Sequence, residues 1–124
     1  MAIIGVHALI YSPEADALRA VLRDVFGFKH VDAGHGWLIF TLPPAELGIH
    51  PAEGTGTEAT KHALSFMCDD ITATVKELRG KGLTIDGEPQ DHGYGIVVMV
   101  TLPGGVQVQV YEPRHPLAIE VRAV

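Results

Sequence analysis

The chain repeats itself, and the repeat constrains its fold more than any other feature. Val6-His7-Ala8-Leu9 is echoed 55 residues later by Lys61-His62-Ala63-Leu64. Arg23-Asp24-Val25-Phe26-Gly27-Phe28 is echoed at the same spacing of 55 by Leu78-Arg79-Gly80-Lys81-Gly82-Leu83. Thr41-Leu42-Pro43-Pro44 and Thr101-Leu102-Pro103-Gly104 match at a spacing of 60. Self-similarity at such a period marks a repeated supersecondary unit. One unit is too small to bury a sheet and a helix alone, so two must share a core.

Periodicity gives the elements inside each unit. Residues 3–11 form an apolar, β-rich run and predict a strand. Ser12-Pro13-Glu14 predicts a helix start: a hydroxyl cap, proline in the first turn and an acid after it. Leu18, Val21, Leu22, Val25 and Phe26 recur at helical spacing, and Gly27 supplies a C′ glycine. Short strands follow at residues 28–31, 37–42 and 46–50, with a turn at Asp32-Ala33-Gly34-His35-Gly36. The second unit restarts with a strand at 62–68. Asp69 or Asp70 then caps a helix carrying Ile71, Val75 and Leu78, which Gly80 and Gly82 terminate. Strands at 83–85, 96–102 and 106–111 complete it. The order is βαβββ twice. The expected organisation is one α+β domain: repeat 1 at 1–51, a linker at 52–60, repeat 2 at 61–113 and a tail at 114–124.

Composition removes several classes of function. Hydrophobic residues make up 47% of the 124 and charged ones 19%, which excludes a disordered chain. The net charge of −6 argues against a nucleic-acid partner, which needs a basic patch. No apolar run reaches the roughly 18 residues of a membrane span. The N-terminus lacks the basic region of a signal peptide. One cysteine, Cys68, cannot form an internal disulfide, so a reducing, cytoplasmic setting is expected.

The paired βαβββ order, the His-Ala-Leu openings, the Asp24-Val25-Phe26-Gly27-Phe28 helix end and the Leu102-Pro103-Gly104-Gly105-Val106-Gln107-Val108-Gln109 hairpin together resemble the vicinal oxygen chelate superfamily. That group includes glyoxalase I, extradiol dioxygenases and bleomycin-resistance proteins. The resemblance covers nearly the whole chain. It implies cupped mixed sheets with helices on the outer face, a homodimer, and a small-molecule site in the hollow. Metal-binding members carry ligands on the first and fourth strands of each half. Those positions match His7, His62 and Gln109, where family enzymes usually have Glu. In the first half the equivalent position falls near Gly48, with Glu46 and His50 at the same strand parity.

Side chains alternate across a strand, which tests that placement from the residues alone. Val106, Val108 and Val110 share one face of the last strand, and Gln107, Gln109 and Tyr111 the other. The valine face should meet the helices and the polar face should line the hollow. Glu112 has valine parity and would need a bulge to join the site. A lone strand histidine is usually a core or rim residue, but His7 and His62 occupy equivalent repeat positions. Imidazole suits Zn, Fe, Ni and Co, and two histidines with a carboxylate form an iron-binding triad. Mn is a further candidate, and no organic cofactor is expected. His50, with an ordinary pKa of about 6.5, suits general-base work, and Gln107 and Tyr111 suit substrate binding.

Other features have blander readings. His35 and His92 precede glycines in turns, and His30 and His115 read as exposed. Gly34-His35-Gly36 and Gly93-Tyr94-Gly95 open no helix, so neither is a phosphate cradle. Cys68 beside Asp69 and Asp70 reads as a small buried hydrophobe rather than a nucleophile. Trp37 reads as core or rim. The leading expectation is a lyase- or dioxygenase-like enzyme using a divalent metal on a small oxygenated substrate. The alternative is a metal-free ligand- or drug-sequestering protein of the bleomycin-resistance type.

Overall fold

The computed structural model describes residues 7–49, 51 and 62–120. In chain order it holds α1 (Ala15–Asp24), β1 (His30–Asp32), β2 (Leu38–Phe40), β3 (Ser65–Met67), α2 (Ile71–Gly80), β4 (Thr84–Ile85), β5 (Gln90–Asp91), β6 (Gly95–Leu102) and β7 (Val106–Pro113). The chain is α+β, with two helices and mixed sheets.

The second unit is the more complete. Its five-stranded sheet runs β3-β7-β6-β4, with β5 also paired to β6. β3 lies parallel to β7, and the other pairs are antiparallel. Parallel pairing needs a crossover, and α2 supplies it. β6 and β7 pair continuously from Gly95↔Pro113 to Leu102↔Val106, with no bulge. In the first unit β1 and β2 form a separate antiparallel hairpin.

Three sequence expectations shift. Residues 7–12 lie outside any strand; Leu9 and Tyr11 are exposed, while Ile10 between them packs partly buried against the core. Residues 46–49 are also unpaired, following Pro43-Pro44, which removes two backbone donors. The first helix begins at Ala15 rather than at Pro13, because the Glu14 carbonyl accepts its first helical bond, from Leu18 N–H at 3.0 Å. Ser12 Oγ accepts from Glu14 N–H and donates to the Pro103 carbonyl.

The repeated helix ends are structurally equivalent. Gly27 and Gly82 both adopt positive φ, +70° and +91°. Leu83 N–H bonds the Leu78 carbonyl and Gly82 N–H the Arg79 carbonyl, a Schellman closure. At the other end of α2, the Asp70 carboxylate accepts from Ala73 N–H.

The core is one cluster: Leu18 from α1, Ile71, Val75 and Leu78 from α2, and Val98, Val100, Leu102, Val108 and Val110 from β6 and β7, with Ile85. Period-two alternation sends the valines of β7 to the helices, as expected from parity. The β6–β7 turn reaches across to the first unit. Gly104 N–H donates to Glu14 Oε2 at 2.7 Å, and a Cβ on Gly104 would strike Ser12.

Candidate functional site

The opposite face of β7 is where the candidate site lies. Gln109 and Tyr111 project there, and Tyr111 is buried. The Tyr111 ring lies across Gly95: a Cβ on that glycine would sit 2.7 Å from ring atom Cδ2 and 2.8 Å from the Glu112 carbonyl oxygen. The missing side chain at 95 therefore seats the phenol.

Two connected polar arrangements radiate from this face. Tyr94 Oη donates to Gln109 Oε1 at 2.9 Å, and the Tyr94 ring meets Tyr111 edge-on. On the other side, Tyr111 Oη lies 3.0 Å from His115 Nε2, and His115 Nδ1 lies 2.8 Å from the Pro116 carbonyl. A carbonyl only accepts, so Nδ1 carries the imidazole proton and Nε2 accepts from the phenol. Burial, then the charge of Glu46, then Tyr94, hold the Tyr111 phenol above its ordinary pKa. It stays protonated and remains a donor at neutral pH.

A cavity of about 970 Å³ opens beside Tyr111. Phe26 and Phe28 come from the end of α1, and Phe66 from β3. Their ring centroids are 5.4–5.7 Å apart, an aromatic wall. Leu42, Ala63 and Met67 extend the apolar lining, while Glu46, His115 and Glu120 give a polar end. A smaller recess of about 430 Å³ adjoins it, bounded by Gly48, Ile49, Ser65, Tyr94, Gln109 and Tyr111. Gly48 and Gln109, equivalent in the resemblance, thus face one recess.

The expected site residues divide. Gln109 and Tyr111 come together. Gln107 is exposed, opposite Thr101 near the far end of β7, and lines neither space. His7 and His62 are exposed and likewise line neither among the described residues. His50 lies outside the described residues. Among those residues no group of three His, Cys, Asp or Glu side chains could hold a metal ion, and Gln109 Oε1 is already engaged by Tyr94.

Several other readings are resolved by geometry. Glu112 points to the helix side: one oxygen accepts from Ile71 N–H and the other pairs with Arg114 at 2.7 Å. The half-buried His115 corrects its reading as an exposed residue. In the structure His115, Leu117 and Ile119 are half-buried between exposed neighbours. Trp37 is exposed, with the Arg19 guanidinium 5.0 Å from its ring centroid. Burial, followed by the nearby acids, raises the Cys68 thiol above its ordinary pKa against a hydrogen bond with Thr74.

A family model described as "Glyoxalase/Bleomycin resistance protein/Dioxygenase superfamily" matches residues 5–110. The chain belongs to this superfamily. Solved structures agree on the glyoxalase-superfamily fold. TnmS3, an antibiotic binding protein from Streptomyces sp. CB03234, is 21% identical, with 91% of this chain and 98% of that chain covered and a TM-score of 0.64. A lactoylglutathione lyase from Agrobacterium tumefaciens is 20% identical over 88% of this chain and 92% of its own, at a TM-score of 0.61. A superfamily member from Sphaerobacter thermophilus DSM 20745 is 22% identical over 89% and 98%, at 0.59. No curated protein matches the chain. Among the described residues no helix is long and apolar enough to cross a membrane.

Proposed function

We propose that the chain is a small-molecule binding protein whose ligand lies against the aromatic wall of Phe26, Phe28 and Phe66. The observation that carries this reading is the cavity itself. At about 970 Å³ it is of drug-ligand size, mostly apolar, with few convergent polar groups. The antibiotic-binding description of TnmS3 accords with it. Apolar aromatic compounds should raise the melting temperature. A ligand at 100 times its Kd adds about 2.7 kcal/mol. Phe66→Ala should reduce the shift by removing part of the wall. Absence of any shift from a broad aromatic panel overturns the reading.

The second reading is a metal-dependent lyase or dioxygenase. Its support is the shared recess of Gln109 and Tyr111 on the face where the resemblance puts a ligand. The resemblance would assign a divalent Lewis-acid ion to His7, His62 and Gln109, with His50 as base and Gln107 contributing to substrate binding, although His7, His62 and Gln107 line neither space among the described residues and Tyr94 engages Gln109. Gln109→Glu then restores an anionic ligand at almost unchanged volume. Zn²⁺, Mn²⁺ or Fe²⁺ should raise the melting temperature of this variant more than that of the parent chain. Equal shifts count against this reading. In either case the working form is a cytoplasmic homodimer, in keeping with the lone thiol and the exposed apolar residues of the first unit.

A further inference from the structure

The Gly93-Tyr94-Gly95 motif cradles no phosphate, yet its turn between β5 and β6 is firmly braced. Gly93 takes φ +86°, and its N–H donates to Asp91 Oδ1 at 2.8 Å. His92 N–H bonds the Gly95 carbonyl at 3.0 Å. Arg114 N–H bonds the Tyr94 carbonyl at 2.8 Å, which ties the turn to the end of β7. The Tyr94 ring meets both His92 and Tyr111 edge-on. Backbone and ring together hold the Tyr94 hydroxyl where it donates to Gln109 Oε1 at 2.9 Å.

A carboxamide has an acceptor end and a donor end. Tyr94 takes the acceptor end, so what Gln109 offers a molecule in the smaller recess is its Nε2 hydrogens. Ser65 stands opposite Gln109 in the parallel register, which puts its hydroxyl on the same face beside the amide. The recess shares Gly48, Ser65 and Tyr111 with the large cavity, so one ligand can reach both. We propose that Gln109 is a specificity-determining residue of this site, donating through Nε2 directly to a carbonyl oxygen carried by the ligand's aromatic body, and that Tyr94 is its positioning residue. An ion would instead compete with Tyr94 for Oε1. The inference rests on the ligand-binding reading above and adds the chemical class of the ligand.

The test uses the full chain at pH 7 with EDTA present, so that no ion takes part. 2-Acetylnaphthalene and 2-isopropenylnaphthalene share one outline and differ by an oxygen against a methylene. Their affinities are measured by equilibrium dialysis. The hydrocarbon has the stronger general preference for apolar surface, so the readout is how the ketone-to-alkene affinity ratio changes between chains. Gln109→Leu should lower that ratio about three- to tenfold, the worth of one neutral hydrogen bond. Gln109→Glu, which turns a donor into an acceptor, should lower it further. Tyr94→Phe should lower it in part, because the amide is then free to turn its oxygen to the recess. In the ¹⁵N-labelled parent chain, the Gln109 side-chain amide protons, assigned by their loss in either Gln109 variant, should shift with the ketone and not with the alkene. A ratio unchanged in Gln109→Leu, or amide protons that ignore the ketone, overturns the proposal while the ligand-binding reading stands. A ratio unchanged in Tyr94→Phe overturns the positioning role. Failure of both probes to bind up to their solubility limits overturns both readings. If Gln109→Leu does not fold, Gln109→Glu and the amide-proton shift decide.

Discussion

Single positions carry much of the site. Gly95 has an ordinary backbone conformation, so its role is space rather than a special φ. Alanine there must displace both a buried ring and a strand carbonyl, neither of which moves freely. Gly95→Ala should cost about 1–3 kcal/mol in urea unfolding, the usual range for overpacking. A loss below that range would mean that Tyr111 is not seated on this glycine. Cys68 and Tyr111 give a second prediction. Both hold their protons more tightly when folded, with pKa values raised from ordinary values of 9.0 and 10.0. At alkaline pH the folded state binds more protons than the unfolded one, so stability falls with rising pH. The contribution is complete below about pH 9 and lost through the range above it. Cys68→Ser and Tyr111→Phe should each flatten the alkaline decline in chemical-denaturation midpoint. An unchanged decline in both would contradict the assigned burial.

Helix ends show what was legible from local chemistry. A cap at Asp69 or Asp70 was readable because a cap is a contact between residues three apart, and the structure selects Asp70; Gly27 and Gly82 were readable because a left-handed helix end selects glycine. Gly82→Ala should therefore cost about 1–2 kcal/mol with the site unchanged, since nothing lies near its Cβ position and only the backbone objects. A neutral result in thermal unfolding would show that the Schellman closure is dispensable. The parity of β7 was legible for the same reason, because alternation needs no knowledge of partners. It placed Val108 and Val110 on the helices, Tyr111 on the cavity and Glu112 away from it. The short strands of the first unit were less legible. Pairing depends on what lies alongside, and residues 46–49 have strand-like alternation but no ladder. Glu46 was named by parity although its segment forms no strand, whereas His115 was hidden, because it lies in the tail and only its contact with Tyr111 brings it to the cavity.

The molecule as a whole is uneven in how it buries its apolar surface. Of the 12 buried hydrophobic residues, only Leu18 precedes residue 71, so nearly all of the described core belongs to the second unit. Meanwhile the first unit exposes Val31, Trp37, Leu47 and Ile49, the last two at 87%. Scattered apolar residues on a surface are ordinary, and only a contiguous group of them makes an interaction surface. The adjacent cavity wall includes Leu42 and Gly48, so whatever covers Leu47 and Ile49 also borders the site. A second copy of the chain is the expected cover. Sedimentation equilibrium at micromolar concentration should return twice the 13.3 kDa of one chain. Replacing Leu47 and Ile49 together by Asp should convert the protein to a monomer, since two carboxylates would be buried unpaired in each copy's interface. The monomer should keep the far-ultraviolet circular dichroism of the parent, because neither residue belongs to the core cluster. Ligand affinity should fall along with dimerisation if the partner helps close the cavity. A parent chain sedimenting at 13.3 kDa, or a double variant that still dimerises, would place the interface elsewhere or remove it.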